Sequence, residues 1–301
     1  MHVLDVKAGG RYLDGTLGGG THTAELLKRS APDGRVLSLD VDRTALERAK
    51  QSFASEGERW MGVEGNFRFL DQAARDAGFV PLDGILLDLG FSSDELADPT
   101  KGLSFLTNGP LDMRLGPKAN EDGLTAADIV NSWNTEDILR VLREYGEERY
   151  APLIAREIVS ARKASRIIGT LDLVAIIKKA VPARYEHGRI HPATRTFQAL
   201  RIAVNDELAS VAKTLPQAVT SLHVGGRLAV ISFHSLEDRI VKDFFREQSK
   251  DLINPPYEKL YEVERKATIK EVNRKPILPS EEETKNNPRA RSAKLRIAEK
   301  L

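Results

Sequence analysis

Asp14-Gly15-Thr16-Leu17-Gly18-Gly19-Gly20 decides how the first part of this chain folds. A strand-like run, Arg11 to Leu13, leads into the acid, and four glycines follow within six residues. The stretch from His22 to Leu27 then has the pattern of a helix start. Because glycine has no Cβ, the backbone of such a loop can lie directly against a bound molecule. The segment therefore predicts a strand, a ligand-binding turn and a helix.

The acid at the start of this loop indicates the kind of ligand. A carboxylate repels a pyrophosphate but attracts a cation. S-adenosylmethionine carries an ammonium, a sulfonium and a ribose, so the loop favours it over NAD. Asp40 ends the buried-type run Arg35–Asp40, roughly 20 residues after the glycines, where nucleotide-binding sheets place their ribose-binding acid. A tight turn that holds no ligand remains the alternative for the loop alone.

The composition is that of a globular enzyme. The chain has 301 residues, of which 41% are hydrophobic and 30% charged. No run approaches the ~20 apolar residues of a membrane span, and a net charge of only +1 means that nucleic-acid binding requires a local basic patch. The absence of cysteine excludes disulfides and cysteine-ligated zinc. With no signal-peptide pattern at Met1–Asp5, we expect a cytoplasmic protein that does not associate with membranes.

Strand and helix patterns alternate along the first part of the chain, as in an α/β fold with a parallel sheet and helices on both faces. The strand candidates are Arg11–Asp14, Arg35–Asp40, Trp60–Glu64 and Asp83–Leu89. Helical patterns lie between them, around Thr23–Arg29, Arg43–Ser55 and Phe69–Ala77. A fifth central strand is predicted only much later, at Arg227–Phe233.

The intervening stretch has a different character. A loop rich in Gly, Pro, Ser and Asp, from Ser92 to Asn120, precedes apolar residues at helical spacing. Thr125 and Asp128 have the spacing of a capping box at a helix start. We therefore predict a core domain of residues 1–94 and 196–301, interrupted by an inserted all-helical domain of residues 95–195 that recognises the substrate. One long helix is expected from His191 to Leu222.

Active sites of open parallel sheets lie at the carboxyl ends of the strands. Polar residues end or follow four predicted strands: Asp14, Asp40, Asp88 and His234. An exocyclic amino nitrogen on a nucleobase is a poor nucleophile because its lone pair is delocalised into the ring. A hydrogen-bond acceptor such as Asp88 promotes its attack on a methyl group, and an aromatic such as Phe91 can stack an extruded base. A cap for the next segment is the alternative role for Asp88.

Seven segments of the chain, in order, resemble the bacterial small-subunit ribosomal RNA cytosine-N4 methyltransferase family. They are DGTLGGGTH (14–22), DGILLDLGFSS (83–93), GPLDMR (109–114), TAADIVN (125–131), HPATRTFQALRIAVNDEL (191–208), GGRLAVISFHSLEDRIVKDFF (225–245) and ARSAKLR (290–296). The resemblance implies a class I, Rossmann-like methyltransferase sheet with an inserted helical domain. It also implies S-adenosylmethionine as methyl donor and a cytidine of the ribosomal decoding region as acceptor.

The same resemblance implies which side chains bind the cofactor. The positions carried over are Gly20, Thr21, His22, Asp40, Phe67, Asp88 and Glu95, to which the loop itself adds Asp14 and Gly18. Two positions depart from the family pattern. Thr21 stands where the family has a glycine, and Glu95 stands where it has a glutamine, so Glu95 lacks the amide donor.

The predicted catalytic residues are Asp88, Phe91 and His234. Predicted RNA contacts are Ser235 and Arg239, which follow the fifth strand, and His191, Arg195, Arg291 and Lys294, which lie in or beside basic clusters. Solvated charged faces are the alternative meaning of such clusters. The expected partner is small-subunit ribosomal RNA or the assembled small subunit, with the oligomeric state, monomer or dimer, left open.

Other readings of the sequence receive less support. Asn254-Pro255-Pro256-Tyr257 matches the acceptor motif of DNA amino-methyltransferases, but it follows a polar stretch instead of a buried strand. His187, His191 and His234 could suggest a metal site, but the i, i+4 pair His187 and His191 would need a helix, which Gly188 and Pro192 disfavour, so no metal is expected. A non-catalytic ribosome-assembly factor and, less well supported, a nucleotide-dependent oxidoreductase are the alternative functions.

Overall fold

The computed structural model describes residues 2–117, 119–120, 122–186, 190–251 and 265–301. His187 and the 254–257 motif therefore lie outside the described residues. The chain forms two compact units. The sheet unit contains the residues up to Gly90 together with Leu208–Leu301, and the helical unit contains Phe91–Glu207.

The sheet unit is built on seven strands in the order β3-β2-β1-β4-β5-β7-β6. They are β1 (Arg11–Asp14), β2 (Arg35–Asp40), β3 (Trp60–Glu64), β4 (Leu82–Asp88), β5 (Leu222–Ser232), β6 (Ile269–Glu271) and β7 (Lys294–Lys300). The first five strands pair in parallel, whereas β7 pairs antiparallel with β5 and β6. This confirms the predicted α/β class, and three of the first four strands have the predicted bounds.

Thirteen α-helices occur in the described residues. They are α1 (Thr21–Ser30), α2 (Arg43–Ser52), α3 (Leu70–Asp76), α4 (Ser93–Ala97), α5 (Ala126–Ser132), α6 (Thr135–Glu144), α7 (Ala151–Ala161), α8 (Thr170–Ala180), α9 (Ala183–Glu186), α10 (Thr194–Asn205), α11 (Glu207–Ser221), α12 (Ser235–Gln248) and α13 (Glu281–Asn286). None of them combines the length and hydrophobicity that crossing a membrane requires.

The central strands are apolar on both faces. Leu13, Leu37, Ile85 and Leu228 are each 0% exposed, as expected where helices cover a parallel sheet on both sides. The four middle residues of β2 are all buried. Burial of continuous apolar runs is the reason that the sheet could be found from the sequence.

The helical unit has a hydrophobic core of its own. Ile138, Ile154, Leu173 and Leu200, from four different helices, are each 0% exposed and belong to one cluster. The capping box at Thr125 and Asp128 is present as predicted. No strand occurs among the described residues of this unit.

The boundaries of the compact units differ from the predicted ones. They fall after Gly90 and after Glu207, not after residues 94 and 195. The second shift arises because α10 buries its apolar face, including Phe197 and Leu200, in the core of the helical unit. That this unit recognises the substrate remains a prediction.

The single helix expected from His191 to Leu222 is wrong. Asp206 has φ 49° and ψ 42°, the left-handed conformation, and it separates α10 from α11. The apolar spacing continues on both sides of the break. Because hydrophobic residues recur at helical spacing both before and after Asp206, their periodicity does not reveal the break between the two helices.

Candidate active site

Three acids end adjacent strands at one edge of the sheet. Asp14 ends β1, Asp40 ends β2 and Asp88 ends β4. β1 lies between the other two strands, with Asp14 opposite Ser38 on one side and Leu86 on the other. The three predicted acids thus lie on neighbouring strands at the carboxyl edge, the place where open parallel sheets bind ligands.

The glycine loop joins β1 to α1 and is tied to β2. A Cβ on Gly15 would lie 2.5 Å from Leu87 Cδ2, so any larger residue there would have to displace the buried Leu87 side chain. Gly20 precedes α1 with φ 75°, in the left-handed region that favours glycine. The Gly18 amide donates to Asp40 Oδ2 at 2.8 Å. These contacts hold the loop across the ends of two strands.

Two further predicted cofactor residues flank this loop. Thr21 is the first residue of α1 and is exposed, so its side chain has room where the family has a glycine. Phe67 Cβ lies 3.5 Å from the position that a Cβ on Gly15 would occupy. Both side chains are therefore beside the loop.

Asp14 is fully buried, and its carboxylate is held by the protein itself. Thr23 Oγ1 donates to Asp14 Oδ2 at 2.8 Å, and the Thr16 amide donates to Oδ1 at 3.2 Å. Thr23 Oγ1 lies 2.8 Å from Ser38 Oγ, which accepts from Trp60 Nε1 at 3.1 Å. Burial raises the pKa of Asp14 to about 6. Asp14 is 0% exposed and its carboxylate supports the loop, so a direct cofactor contact for it stays a prediction.

Asp88 has an unsatisfied buried oxygen. Its Oδ2 lies 3.4 Å from His22 Nε2, and the hydrogen bond to Asp88 raises the pKa of His22. The Asp88 amide donates to Thr16 Oγ1 at 2.7 Å, which fixes the backbone. Asp88 Oδ1 is buried and has no hydrogen-bond partner among the described residues. Such an atom is a ready acceptor for an N–H group of a ligand.

His234 caps a helix. Its Nδ1 accepts from the Glu237 amide at 3.4 Å, and its Nε2 lies 3.2 Å from Glu237 Oε1. His234 is the N-cap residue of α12, and its buried Nε2 has no hydrogen-bond partner among the described residues. This geometry gives His234 a structural task, and a catalytic role for it stays a prediction.

The predicted RNA contacts of the sheet unit have different surroundings. Ser235, Arg239 and Arg291 are exposed. Lys294 Nζ lies 3.1 Å from Asp238 Oδ2 and is 37% exposed. Lys294 is therefore engaged in an ion pair, and the RNA contacts of all four residues remain predictions.

Four predicted site residues lie in the helical unit. Phe91 has the Arg201 guanidinium 4.7 Å from its ring centroid. Glu95 accepts from the Ser92 amide at 2.7 Å and from Lys101 Nζ at 3.2 Å. Its carboxylate is therefore occupied by the first turn of α4 and by a neighbouring lysine.

The other two are partnered within the same unit. His191 stacks on Phe105 at 4.8 Å between ring centroids, and Arg195 donates to the carbonyl oxygen of Glu147. Their RNA contacts remain predictions.

The sequence did not predict the residues whose hydrogen bonds fix the positions of Asp14 and Asp88. Thr16, Thr23, Ser38 and Trp60 form the network behind Asp14 and Asp88. Thr16 lies inside the quoted loop and could have been found there. The other three are ordinary strand and helix residues, and only the fold brings them together.

Comparison with known proteins identifies the family. The sequence model of one protein family, described as the MraW methylase family, matches residues 1–301. The chain belongs to the MraW methylase family.

Two curated relatives of this protein are called ribosomal RNA small subunit methyltransferase H. The protein from Carboxydothermus hydrogenoformans is 48% identical over 298 residues, which cover 99% of this chain and 94% of that protein. The protein from Thermomicrobium roseum is 48% identical over 301 residues, which cover 100% of this chain and 91% of that protein. The family resemblance stated from the motifs is thereby confirmed.

Solved structures show a more distant likeness. A putative rRNA methylase from Clostridium thermocellum has a TM-score of 0.42 at 11% identity, with 98% of this chain and 91% of that chain covered. A putative methyltransferase from Streptococcus mutans in complex with SAH has the same TM-score and identity, with 99% and 93% covered.

The residues at the sheet edge fit the cofactor of a methyltransferase. The loop at Gly18–Gly20 leaves backbone open, since nothing lies within 4 Å of a Cβ placed on Gly19. Asp40 is half-buried and accepts one backbone amide on each oxygen. The unpartnered Asp88 oxygen supplies an acceptor in the same unit. Open backbone at Gly19 and two carboxylates are groups that suit a cationic nucleoside.

Proposed function

We propose that this protein transfers a methyl group from S-adenosylmethionine to the N4 atom of a cytidine in small-subunit ribosomal RNA, in the decoding region. The observation that carries the proposal is Asp88, whose Oδ1 is buried and unpartnered beside the glycine loop. The printed name of the two relatives supports the class of substrate.

The cofactor is expected on the glycine loop. Gly19, between the predicted contacts Gly18 and Gly20, has open space where a Cβ would stand, and Asp40 at the end of β2 offers oxygen atoms to the ribose hydroxyls. When bound, S-adenosylmethionine supplies an electrophilic methyl group on a sulfonium. Asp14 adds negative charge from behind the loop at pH values above its pKa of about 6, which favours a cation there.

Asp88 is the residue expected to act on the substrate. Its Oδ1 can accept a hydrogen bond from the cytosine amino group, which localises the nitrogen lone pair for attack on a methyl carbon. His22 holds the other oxygen and so orients the carboxylate. Three residues further along the chain, Phe91 offers an aromatic ring for the extruded base. The rate enhancement then comes from orientation and electrostatics, without a covalent intermediate.

Methyl transfer to small ribosomal subunits tests this proposal. Subunits from cells that lack the enzyme are incubated with labelled S-adenosylmethionine, and the product nucleoside is identified by mass spectrometry. Wild-type protein should form N4-methylcytidine, and Asp88→Ala should be slower by about a hundredfold or more. Undiminished turnover in Asp88→Ala would remove Asp88 from the mechanism.

The same assay separates the alternatives. Wild-type protein that binds cofactor and subunits but forms no methylated product would be a non-catalytic assembly factor. A comparison of naked ribosomal RNA with the assembled subunit in this assay identifies the form of the substrate.

A further inference from the structure

One face of the Phe91 ring is covered by a guanidinium group. Arg201 Cζ lies 4.7 Å from the ring centroid, within the range of a cation–π contact. The Arg201 side chain is only 13% exposed, whereas Phe91 is half-buried. The predicted base-stacking ring is therefore already stacked on one side by a desolvated cation.

Glu207 fixes the plane of that guanidinium. Arg201 Nε donates to Glu207 Oε1 at 2.7 Å, and Arg201 Nη2 donates to Oε2 at 2.8 Å. The Glu207 side chain is 8% exposed. Two parallel bonds to one carboxylate orient the group far more strictly than a single contact does.

The break between α10 and α11 brings the two charges together. Residues six positions apart in a continuous helix lie about 240° apart around its axis and cannot meet. Asp206, in the left-handed conformation, turns the chain between Arg201 and Glu207. The break at Asp206 therefore allows Arg201 and Glu207 to pair, which a continuous helix would prevent.

A merely structural role explains this arrangement poorly. Desolvating an ion pair is costly, and replacing a buried ion pair by apolar side chains of similar volume is often neutral or stabilising. Two of the three Arg201 nitrogens donate to Glu207, which also makes Arg201 poorly suited as a phosphate contact. The planar guanidinium of Arg201, held by two hydrogen bonds to Glu207, instead fixes the orientation of the Phe91 ring on which it stacks.

We propose that Arg201, clamped by Glu207, is a positioning residue that holds the Phe91 ring so that its other face stacks the target cytosine. The inference rests on the proposed function, because it assigns a task in base stacking. It predicts that Arg201 acts on the reaction only through Phe91.

A double-mutant cycle in kcat tests this coupling. Arg201→Met and Phe91→Leu should each lower kcat for small subunits by about tenfold. The double variant should be no slower than the slower single variant, because the second change removes nothing further. The KM for S-adenosylmethionine should stay at the wild-type value throughout. Phe91→Tyr, which keeps the ring, should retain most of the activity and remain sensitive to Arg201→Met.

A matched cycle uses another arginine of the helical unit. Arg162 Nη1 donates to the carbonyl oxygens of Val130 and Trp133 at 3.0 and 2.7 Å. Arg162→Met should leave kcat near the wild-type value and be additive with Phe91→Leu. Glu207→Gln should reproduce part of the Arg201→Met loss. If Arg201→Met does not fold, Arg201→Lys, which keeps the charge without the planar fork, takes its place in the cycle.

Each outcome decides the inference. The inference is overturned if the fold-losses in kcat of the two single variants multiply in the double variant, or if Arg201→Met retains full kcat. Neither result would contradict the proposed methyltransferase function. Wild-type protein that forms no methylated cytidine would overturn the proposed function and this inference together.

Discussion

The three acids at the sheet edge have the same side chain but different tasks. Asp14 is satisfied from within by Thr23 and a loop amide, and Asp40 accepts one backbone amide on each oxygen. Asp88 alone among them has a buried oxygen without a partner among the described residues. The sequence placed all three at one edge, but only hydrogen-bond partners distinguish the support of a loop from the binding of a ligand.

Burial of Asp14 predicts a specific pH dependence of stability. Its pKa is raised from 3.8 to about 6, so the folded state binds this proton more tightly than the unfolded state. The stability that the group contributes is complete below pH 3.8 and is lost as the pH rises through about 6. This pKa difference corresponds to about 3 kcal/mol.

Asp14→Asn should remove this contribution to the pH dependence. Relative to the variant, the wild type should lose up to about 3 kcal/mol in free energy of unfolding between about pH 4 and pH 7.5. Urea unfolding in a Trp133→Phe background measures it, since Trp60 then reports on the sheet unit alone. Equal pH slopes for the two proteins would contradict the prediction.

Protonation of His22 should weaken cofactor binding. The hydrogen bond to Asp88 raises the pKa of His22, with Asp14 as a further negative neighbour. An imidazolium beside a sulfonium ligand is repelled, so affinity for S-adenosylmethionine should fall about threefold to tenfold from about pH 8 to pH 6. Protonation of Asp14 acts in the same direction.

Calorimetry of wild type and His22→Gln measures this effect. Glutamine keeps a hydrogen-bond donor near Asp88 but does not titrate, so the variant should retain only the smaller slope that Asp14 causes. A His22→Gln protein with the full wild-type slope would show that another group is responsible.

At the scale of the elements, the sequence predicted the strands that each consist of one short, continuous run of residues. β1, β2 and β3 have the expected bounds because each is a short run that ends in a polar residue. The break at Asp206 was missed because a left-handed residue leaves no trace in the spacing of apolar side chains. The Arg201–Glu207 pair could not be predicted for the same reason.

The capping box of α5 gives a test at this scale. Thr125 Oγ1 accepts from the Asp128 amide at 3.2 Å, and the Thr125 amide donates to Asp128 Oδ2 at 3.0 Å. Thr125→Val should lower the free energy of unfolding of the helical unit by about 1 kcal/mol, and Thr125→Ser should be nearly neutral. Trp133 follows the last residue of α5, so its fluorescence in a Trp60→Phe background reports the transition. A serine variant as unstable as the valine variant would exclude the hydroxyl as the cause.

At the scale of the whole molecule, the sequence predicted the parallel sheet and the helical insertion but not how the C-terminal segment completes the sheet. β7 runs antiparallel beside β5 over Arg227 to Ser232. Of the basic residues near this segment, Arg291 and Lys294 were predicted to contact RNA. Their neighbour Arg296 is 4% exposed and donates to Asp238 at the start of α12. Charge in a sequence does not distinguish a buried ion pair from a binding surface.

The pair Arg296–Asp238 should therefore contribute much more to stability than its neighbour Lys294. Burial alone would raise the pKa of Asp238, but hydrogen bonds from Arg296 and Lys294 outweigh it and lower the pKa. Removing Arg296 leaves a largely buried carboxylate, so Arg296→Ala should cost about 3–5 kcal/mol of unfolding free energy. Lys294→Ala removes a 37% exposed partner and should cost under about 1 kcal/mol. Urea unfolding in the Trp133→Phe background, followed by Trp60 fluorescence, compares the two, and equal losses would mean that the pair does not join β7 to α12 as the geometry indicates.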